Sequence, residues 1–165
     1  MFDEISEHVS KIKFDENYTN YCNSFQKYKN IIIIGNGGSN SIASHIVEDS
    51  VKFHKKRALS FSDPSMLTCF INDFGMDNAY VEFLKIFSNI QTLNIFISSS
   101  GMSNNIINSV QYSENNNLPY GILTGFDPNN KVRLKSQNPI FDYHINANSY
   151  GVVECVHQIF LHGVI

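Results

Sequence analysis

Residues Ile31–Asn40 read IIIIGNGGSN: four β-branched side chains run straight into a glycine turn, with small polar residues behind it. Ile31 to Ile34 are apolar at every position, which fits a strand covered on both faces, as in a parallel sheet. The residues that follow predict a helix from Ser39 to about Phe53, with Ser39 as its N-cap. A buried strand that ends in such a turn brings backbone close to whatever binds there.

Outward from this stretch the same unit recurs. Leu59–Phe61 predicts a second, short strand closed by Ser62-Asp63-Pro64, and Met66–Phe70 and Asn78–Phe87 predict helices. Leu93–Ile97 is the next strand, opening onto SSSGMSNN, with a helix from Ser103 to about Ser113. Tyr120–Leu123 and Ile140–Ile145 complete five strands, and Tyr150–Val164 makes the last helix. Ahead of the first strand, Ile5, Val9, Ile12, Tyr18, Tyr21 and Phe25 predict one or two helices. Strands alternating with helices over short loops imply an α/β fold, a three-layer α/β/α sandwich with a parallel sheet. The 165 residues fit one domain, 1–165, with 1–29 as an N-terminal helical leader.

Composition narrows the function. Hydrophobic residues make up 42% of the chain, charged residues 16%, and the net charge is −3. That mild acidity argues against nucleic acid as a partner, which needs a basic face. No apolar run is long enough to span a bilayer, and MFDEISEHVSKIKF lacks the core of a signal peptide. Cys22, Cys69 and Cys155 are odd in number and form no CxxC pair, which fits a reduced, cytoplasmic setting.

Two loops stand at strand C-termini: Gly35-Asn36-Gly37-Gly38-Ser39 and Ser98-Ser99-Ser100-Gly101-Met102-Ser103. In parallel sheets ligands bind outside these ends, near a topological switch point. Each loop leads into a helix whose unpaired first amides and dipole favour an anion, and serine hydroxyls can donate to phosphate oxygens. GNGGSN has Asn40 at the third glycine of GxGxxG, and the GK[ST] of a Walker loop is absent. Two such loops at corresponding strand ends point to a phosphate bound by oriented dipoles.

His45 and Asp49 lie four apart, on one face of the helix after the glycine turn. An imidazole and a carboxylate so placed suit Zn²⁺ or a similar divalent ion. Glu154, His157, Gln158 and His162 lie near one another on the wheel of the last helix, although eight residues rise about 12 Å. His8, His54 and His144 read as packed or exposed residues, and His157 as a structural one.

The landmarks GNGGS (Gly35–Ser39), His45 in SHIVED, SDPSMLTCFINDFGMDNAY (Ser62–Tyr80), ISSSGMSNNI (Ile97–Ile106), GILTG (Gly121–Gly125) and VECVHQIFLH occur together. In order and spacing they resemble the sugar isomerase (SIS) domains and, within them, the sedoheptulose 7-phosphate isomerases (phosphoheptose isomerases). The resemblance implies a flavodoxin-like five-stranded parallel sheet and a homo-oligomer, a tetramer with active sites at subunit interfaces. It implies conversion of sedoheptulose 7-phosphate to D-glycero-D-manno-heptose 7-phosphate through a cis-enediol, for heptoses of lipopolysaccharide or capsule. By position, Ser98, Ser99, Ser100 and Ser103 would hold the phosphate of this small-molecule sugar phosphate. Asn36, Gly37, Gly38 and Ser39 would contact the sugar, and Asp73 falls at the family's active-site aspartate. The metal ligands would be His45, Asp49, Glu154 and His162, holding one Zn²⁺ per subunit. Asp49 would be the catalytic base and His162 the acid.

The chain departs from the family pattern at Asp49, usually Glu, at Glu154, usually Gln, and at Ile42, commonly Asp. Both ends read as shorter than the family's. Two other readings stay open: an isomerase of another sugar phosphate, and a non-catalytic SIS module that binds a sugar phosphate or a partner protein.

Overall fold

The computed structural model describes residues 1–165. Its helices are α1 (Phe2–Ile12), α2 (Glu16–Lys27), α3 (Gly38–His54), α4 (Pro64–Phe74), α5 (Ala79–Phe87), α6 (Asn104–Asn115), α7 (Lys131–Lys135) and α8 (Tyr150–His162). The strands are β1 (Asn30–Gly35), β2 (Arg57–Ser60), β3 (Thr92–Ser98), β4 (Tyr120–Gly125) and β5 (Asp142–Ile145). All pair in parallel, in the order β2-β1-β3-β4-β5. This is the flavodoxin-like order, and the chain changes direction across the sheet between β1 and β3.

The run of isoleucines divides by parity, because successive strand side chains point to opposite faces. Ile31 and Ile33 join Leu93, Ile95 and Ile97 on one face, under Ile42, Ala43 and Ile46 of α3 and Val152, Val156 and Phe160 of α8. Ile32 and Ile34 join Phe96 and Ile122 on the other, under Phe83 and Leu84 of α5 and Ile106 and Val110 of α6. Two cores on one sheet are what an uninterrupted apolar strand requires.

The leader is part of the first core. Tyr21 of α2 is fully buried, stacks on Phe160 at 5.2 Å between centroids, and donates its hydroxyl to the Leu161 carbonyl at 2.9 Å. Burial pushes its ionisation well above that of a free phenol. Tyr21→Phe keeps the ring but leaves the carbonyl short of a donor, so we expect a loss of about 1–2 kcal/mol in urea melts.

Two local readings are corrected, and one short helix is added. Helix α3 begins at Gly38, with Gly37 in the N-cap position at φ +54, and Ser39 is buried inside its first turn. The reason is the tightness of the turn: a Cβ on Gly35 would come within 2.7 Å of Ser39, so the helix starts before any serine can cap it. The last helix stops at His162 rather than Val164. Helix α7 has five residues, too few to show a period in the sequence, yet its Val132 N–H donates to Gly101 O at 3.0 Å and braces the serine loop.

Candidate active site

At the switch point the connections from β1 and β3 leave in opposite directions, and a crevice opens between them. Asn36, Gly37, Gly38 and Ser39 form one wall and Ser98, Ser99, Ser100 and Ser103 the other, around a cleft of about 260 Å³. All eight were singled out in the sequence, and the fold brings them together. Tyr150 and Glu154 of α8 close the third side.

The serine wall is built for an acceptor-rich guest. Ser99 is buried, and its hydroxyl has no protein partner, an omission that folded proteins rarely tolerate without a ligand or water. Ser103 occupies the N-cap position of α6 without making a capping bond, so its hydroxyl too is uncommitted there. Gly101, at φ +64, packs against the Asn130 side chain where a Cβ would collide. The Ser99 carbonyl accepts from Gly125 N–H at 2.8 Å, fixing the loop on β4. No Lys, Arg or His lines the cleft. Attraction for an anion comes from hydroxyls, amides and the N-termini of α3, α6 and α8.

Within one chain Glu154 stands apart from the cluster of His45, Asp49 and His162, the three that come together. Its carboxylate lies against Gly38, within 2.5 Å of where a Cβ would stand, at the first turn of α3. The wheel puts Glu154 and His162 on one face of α8, but the rise of about 12 Å between them separates their sites. Glu154 is favourably placed against the helix dipole and is the one formal charge in the cleft.

Two to three turns further along, α3 and α8 meet again. The ligand atoms of His45, Asp49 and His162 lie within 4.8 Å of one another. Asp49 Oδ2 is 3.2 Å from His45 Nε2 and 3.3 Å from His162 Nε2, with the two rings 5.0 Å apart. His162 Nδ1 donates to the Gln158 carbonyl at 3.0 Å, which leaves Nε2 as the variable nitrogen. A neutral His162 then sets a lone pair against a carboxylate oxygen. A proton or a cation between them removes that repulsion, and two imidazoles with one carboxylate are a donor set that fits zinc.

Asp73 is not at the cleft of its own chain. It sits on the exposed α4, where it accepts from Asn72 Nδ2 at 2.9 Å and lies 3.6 Å from Cys69 Sγ, whose thiol it pushes up. None of the residues of α4 is buried, although Met66, Phe70 and Phe74 are on it. From the same block of sequence, Tyr80 is the residue that reaches the site, donating to Gly35 O at 3.0 Å and Asn36 Oδ1 at 2.8 Å. Sequence reading passed over Tyr80, Tyr150 and Asn105.

Ile42 lies in the core, among apolar side chains. His157 is buried on the Thr124 carbonyl, His54 is exposed, and all three cysteines are free. No helix is long and apolar enough to cross a membrane.

We find no family model that matches the chain. Among curated proteins it is 33% identical over 149 residues to the phosphoheptose isomerase of Fusobacterium nucleatum, covering 87% of this chain and 75% of that one. It is 31% identical over 122 residues to the phosphoheptose isomerase of Buchnera aphidicola, covering 71% of this chain and 62% of the relative. Among solved structures, the phosphoheptose isomerase of Neisseria gonorrhoeae superposes with a TM-score of 0.89 at 20% identity, covering 99% of this chain and 91% of that one. That of Francisella tularensis gives 0.85 at 15% identity, with the same coverage.

Proposed function

The chain belongs to the phosphoheptose isomerase family, and from that premise we propose that it converts sedoheptulose 7-phosphate to D-glycero-D-manno-heptose 7-phosphate. The observation that carries the reading is the pairing of an anion cleft with a His–Asp–His cluster along the same two helices. Curated relatives of that name favour an isomerase over a non-catalytic module.

In this reading Ser98, Ser99, Ser100 and Ser103 hold the phosphate, and Asn36 to Ser39 contact the sugar. From Ser39 to His45 and Asp49, α3 rises about 9 and 15 Å. An extended seven-carbon substrate anchored by its phosphate therefore carries C1 and C2 toward the cluster. Asp49 takes the proton from C1 of the ketose and returns it to C2, while His162 serves the oxygens, giving and recovering a proton through the cis-enediol. Asp49 Oδ2 faces the two histidines and Oδ1 has no protein partner, so Oδ1 is the oxygen left for carbon chemistry. His45, Asp49 and His162 would hold the divalent ion, which when bound supplies Lewis acidity at the carbonyl. Zinc fits the donor set, and metal-replete protein should carry about one divalent ion per chain, falling sharply in His45→Ala, as read by elemental analysis.

Glu154 and the phosphate share one cleft, so like charges oppose each other there. Glu154→Gln removes the repulsion, worth about 1 kcal/mol across 4 Å of water, and should tighten binding of inorganic phosphate several-fold by calorimetry.

We place the enzyme in the cytoplasm as a single SIS domain that supplies heptose for lipopolysaccharide or capsule, and as a homo-oligomer, a tetramer. The exposed Met66 and Phe74 on α4 support an assembly in which Asp73 serves a neighbouring subunit's cleft. Light scattering on the purified chain reads the assembly. The activity is tested by incubating the zinc-loaded chain with sedoheptulose 7-phosphate and following the aldose by NMR. Saturable binding without any aldose would overturn the reading.

A further inference from the structure

Asn36 lines the cleft, yet three of the four hydrogen-bonding positions of its amide are already occupied. Its Oδ1 accepts from Asn105 Nδ2 at 2.9 Å and from the Tyr80 hydroxyl at 2.8 Å. One proton of its Nδ2 goes to Asn105 Oδ1 at 2.9 Å. What remains is a single N–H.

The backbone selects the orientation of this pair through the Ile106 N–H, which is shared between Asn105 Oδ1 and, at 3.1 Å, Ser103 O. Asn105 Oδ1 also receives the Ile106 N–H at 2.9 Å. A backbone N–H can only donate, so that atom of Asn105 is oxygen and its neighbour is nitrogen. The nitrogen of Asn105 must meet the oxygen of Asn36, and Asn36 cannot flip. With Asn36 Oδ1 so placed, the Tyr80 hydroxyl faces two acceptors, Gly35 O and Asn36 Oδ1, and shares its one proton between them. Burial pushes this phenol up to about 12, so it stays a donor at any ordinary pH. Tyr80 and Asn105 are both buried, and they come from α5 and α6, far along the chain from Asn36.

We propose that Tyr80 and Asn105 are positioning residues that lock Asn36 as a one-way donor, so that the cleft meets its ligand here with one aimed N–H for a phosphate or sugar oxygen. The proposal rests on the reading of the cleft as a sugar-phosphate site. It gives the long INDFGMDNAY block a role in its own chain's cleft through Tyr80, and it joins the two ligand loops, because Asn105 opens the helix that follows the serine loop.

A double-mutant cycle tests it. Tyr80→Phe, Asn36→Ala and the double variant are compared with the unmodified chain for sedoheptulose 7-phosphate binding by calorimetry. We expect each single change to weaken binding about tenfold, the value of one hydrogen bond to a charged ligand. For Tyr80→Phe the loss should fall on KM rather than kcat. The double variant should bind no more weakly than Asn36→Ala, since Tyr80 acts only through that amide. A ligand-free readout accompanies it: one Asn36 side-chain amide proton should be protected from exchange by Asn105 Oδ1, Asn105→Ala should abolish that protection, and Tyr80→Phe should lower it. Tyr80→Phe that binds like the unmodified chain, effects that multiply undiminished in the double variant, or an unprotected Asn36 amide would each overturn the proposal. A chain that binds no sugar phosphate but keeps the protected amide would instead overturn the functional reading.

Discussion

Asp49→Asn should lower kcat for the isomerisation by about 10²–10⁴-fold, the range that a positioned general base contributes. The substitution keeps the size of the side chain and leaves an oxygen for one histidine. It removes the charge that both His45 and His162 face at 3.2 and 3.3 Å, and the lone pair that takes the carbon-bound proton. Binding of inorganic phosphate should change by less than about twofold, because the cleft opens at the glycine turn, some three turns of α3 from Asp49. Asp49→Glu retains a carboxylate and should keep more activity than Asp49→Asn, although proton abstraction is sensitive to a shift of about 1 Å. If Asp49→Asn kept more than about a tenth of the rate, Asp49 would not be the base. Steady-state kinetics, with circular dichroism as the folding control, decide the matter.

The second large effect concerns stability in acid. His157 is fully buried on α8, with Nε2 donating to the Thr124 carbonyl at 3.0 Å and Nδ1 without a partner. Burial pushes its pKa from 6.5 down to about 4, against a smaller upward pull from the Thr124 carbonyl. Its folded-state value is thus depressed below the unfolded one. Between about pH 6.5 and 4 the unfolded chain binds a proton there that the folded chain refuses, so stability falls as the solution is acidified. One proton over that window amounts to about 3 kcal/mol, a large share of the 5–15 kcal/mol typical of a domain. His144 is also lowered by burial and adds in the same direction. Urea melts of His157→Gln should show a shallower loss between pH 6.5 and 4. An unchanged slope would place the acid sensitivity elsewhere.

The strands and both ligand loops were legible because their signals are local. A run of isoleucines, a glycine turn and a serine-rich turn each declare themselves within ten residues, and the parallel sheet follows from their alternation with helices. His45 and Asp49 were equally legible, being one turn apart on a single helix. What escaped was anything set by the third dimension. The rise of about 12 Å between Glu154 and His162 was legible, but where each end of that rise docks was not: Glu154 lies against Gly38, while His162 joins His45 and Asp49. Asp73 lies on a helix with no buried residue, away from the cleft of its own chain, and nothing in its local sequence announces that placement. The amide pair of Asn36 and Asn105 joins residues 69 apart in sequence, and no periodicity announces such a contact. Ser39 failed as a cap because the steric tightness around Gly35 is invisible until the turn is built.

The central claim is proton transfer between C1 and C2 of a phosphorylated ketose, and solvent isotope tests it most directly. The zinc-loaded chain is incubated in D₂O with sedoheptulose 7-phosphate, and the aldose product is read by NMR. The account predicts deuterium at C2 of the product, lost together with turnover in Asp49→Asn. Aldose formed without solvent deuterium, or tightly bound sugar phosphate with neither product nor exchange, would contradict it.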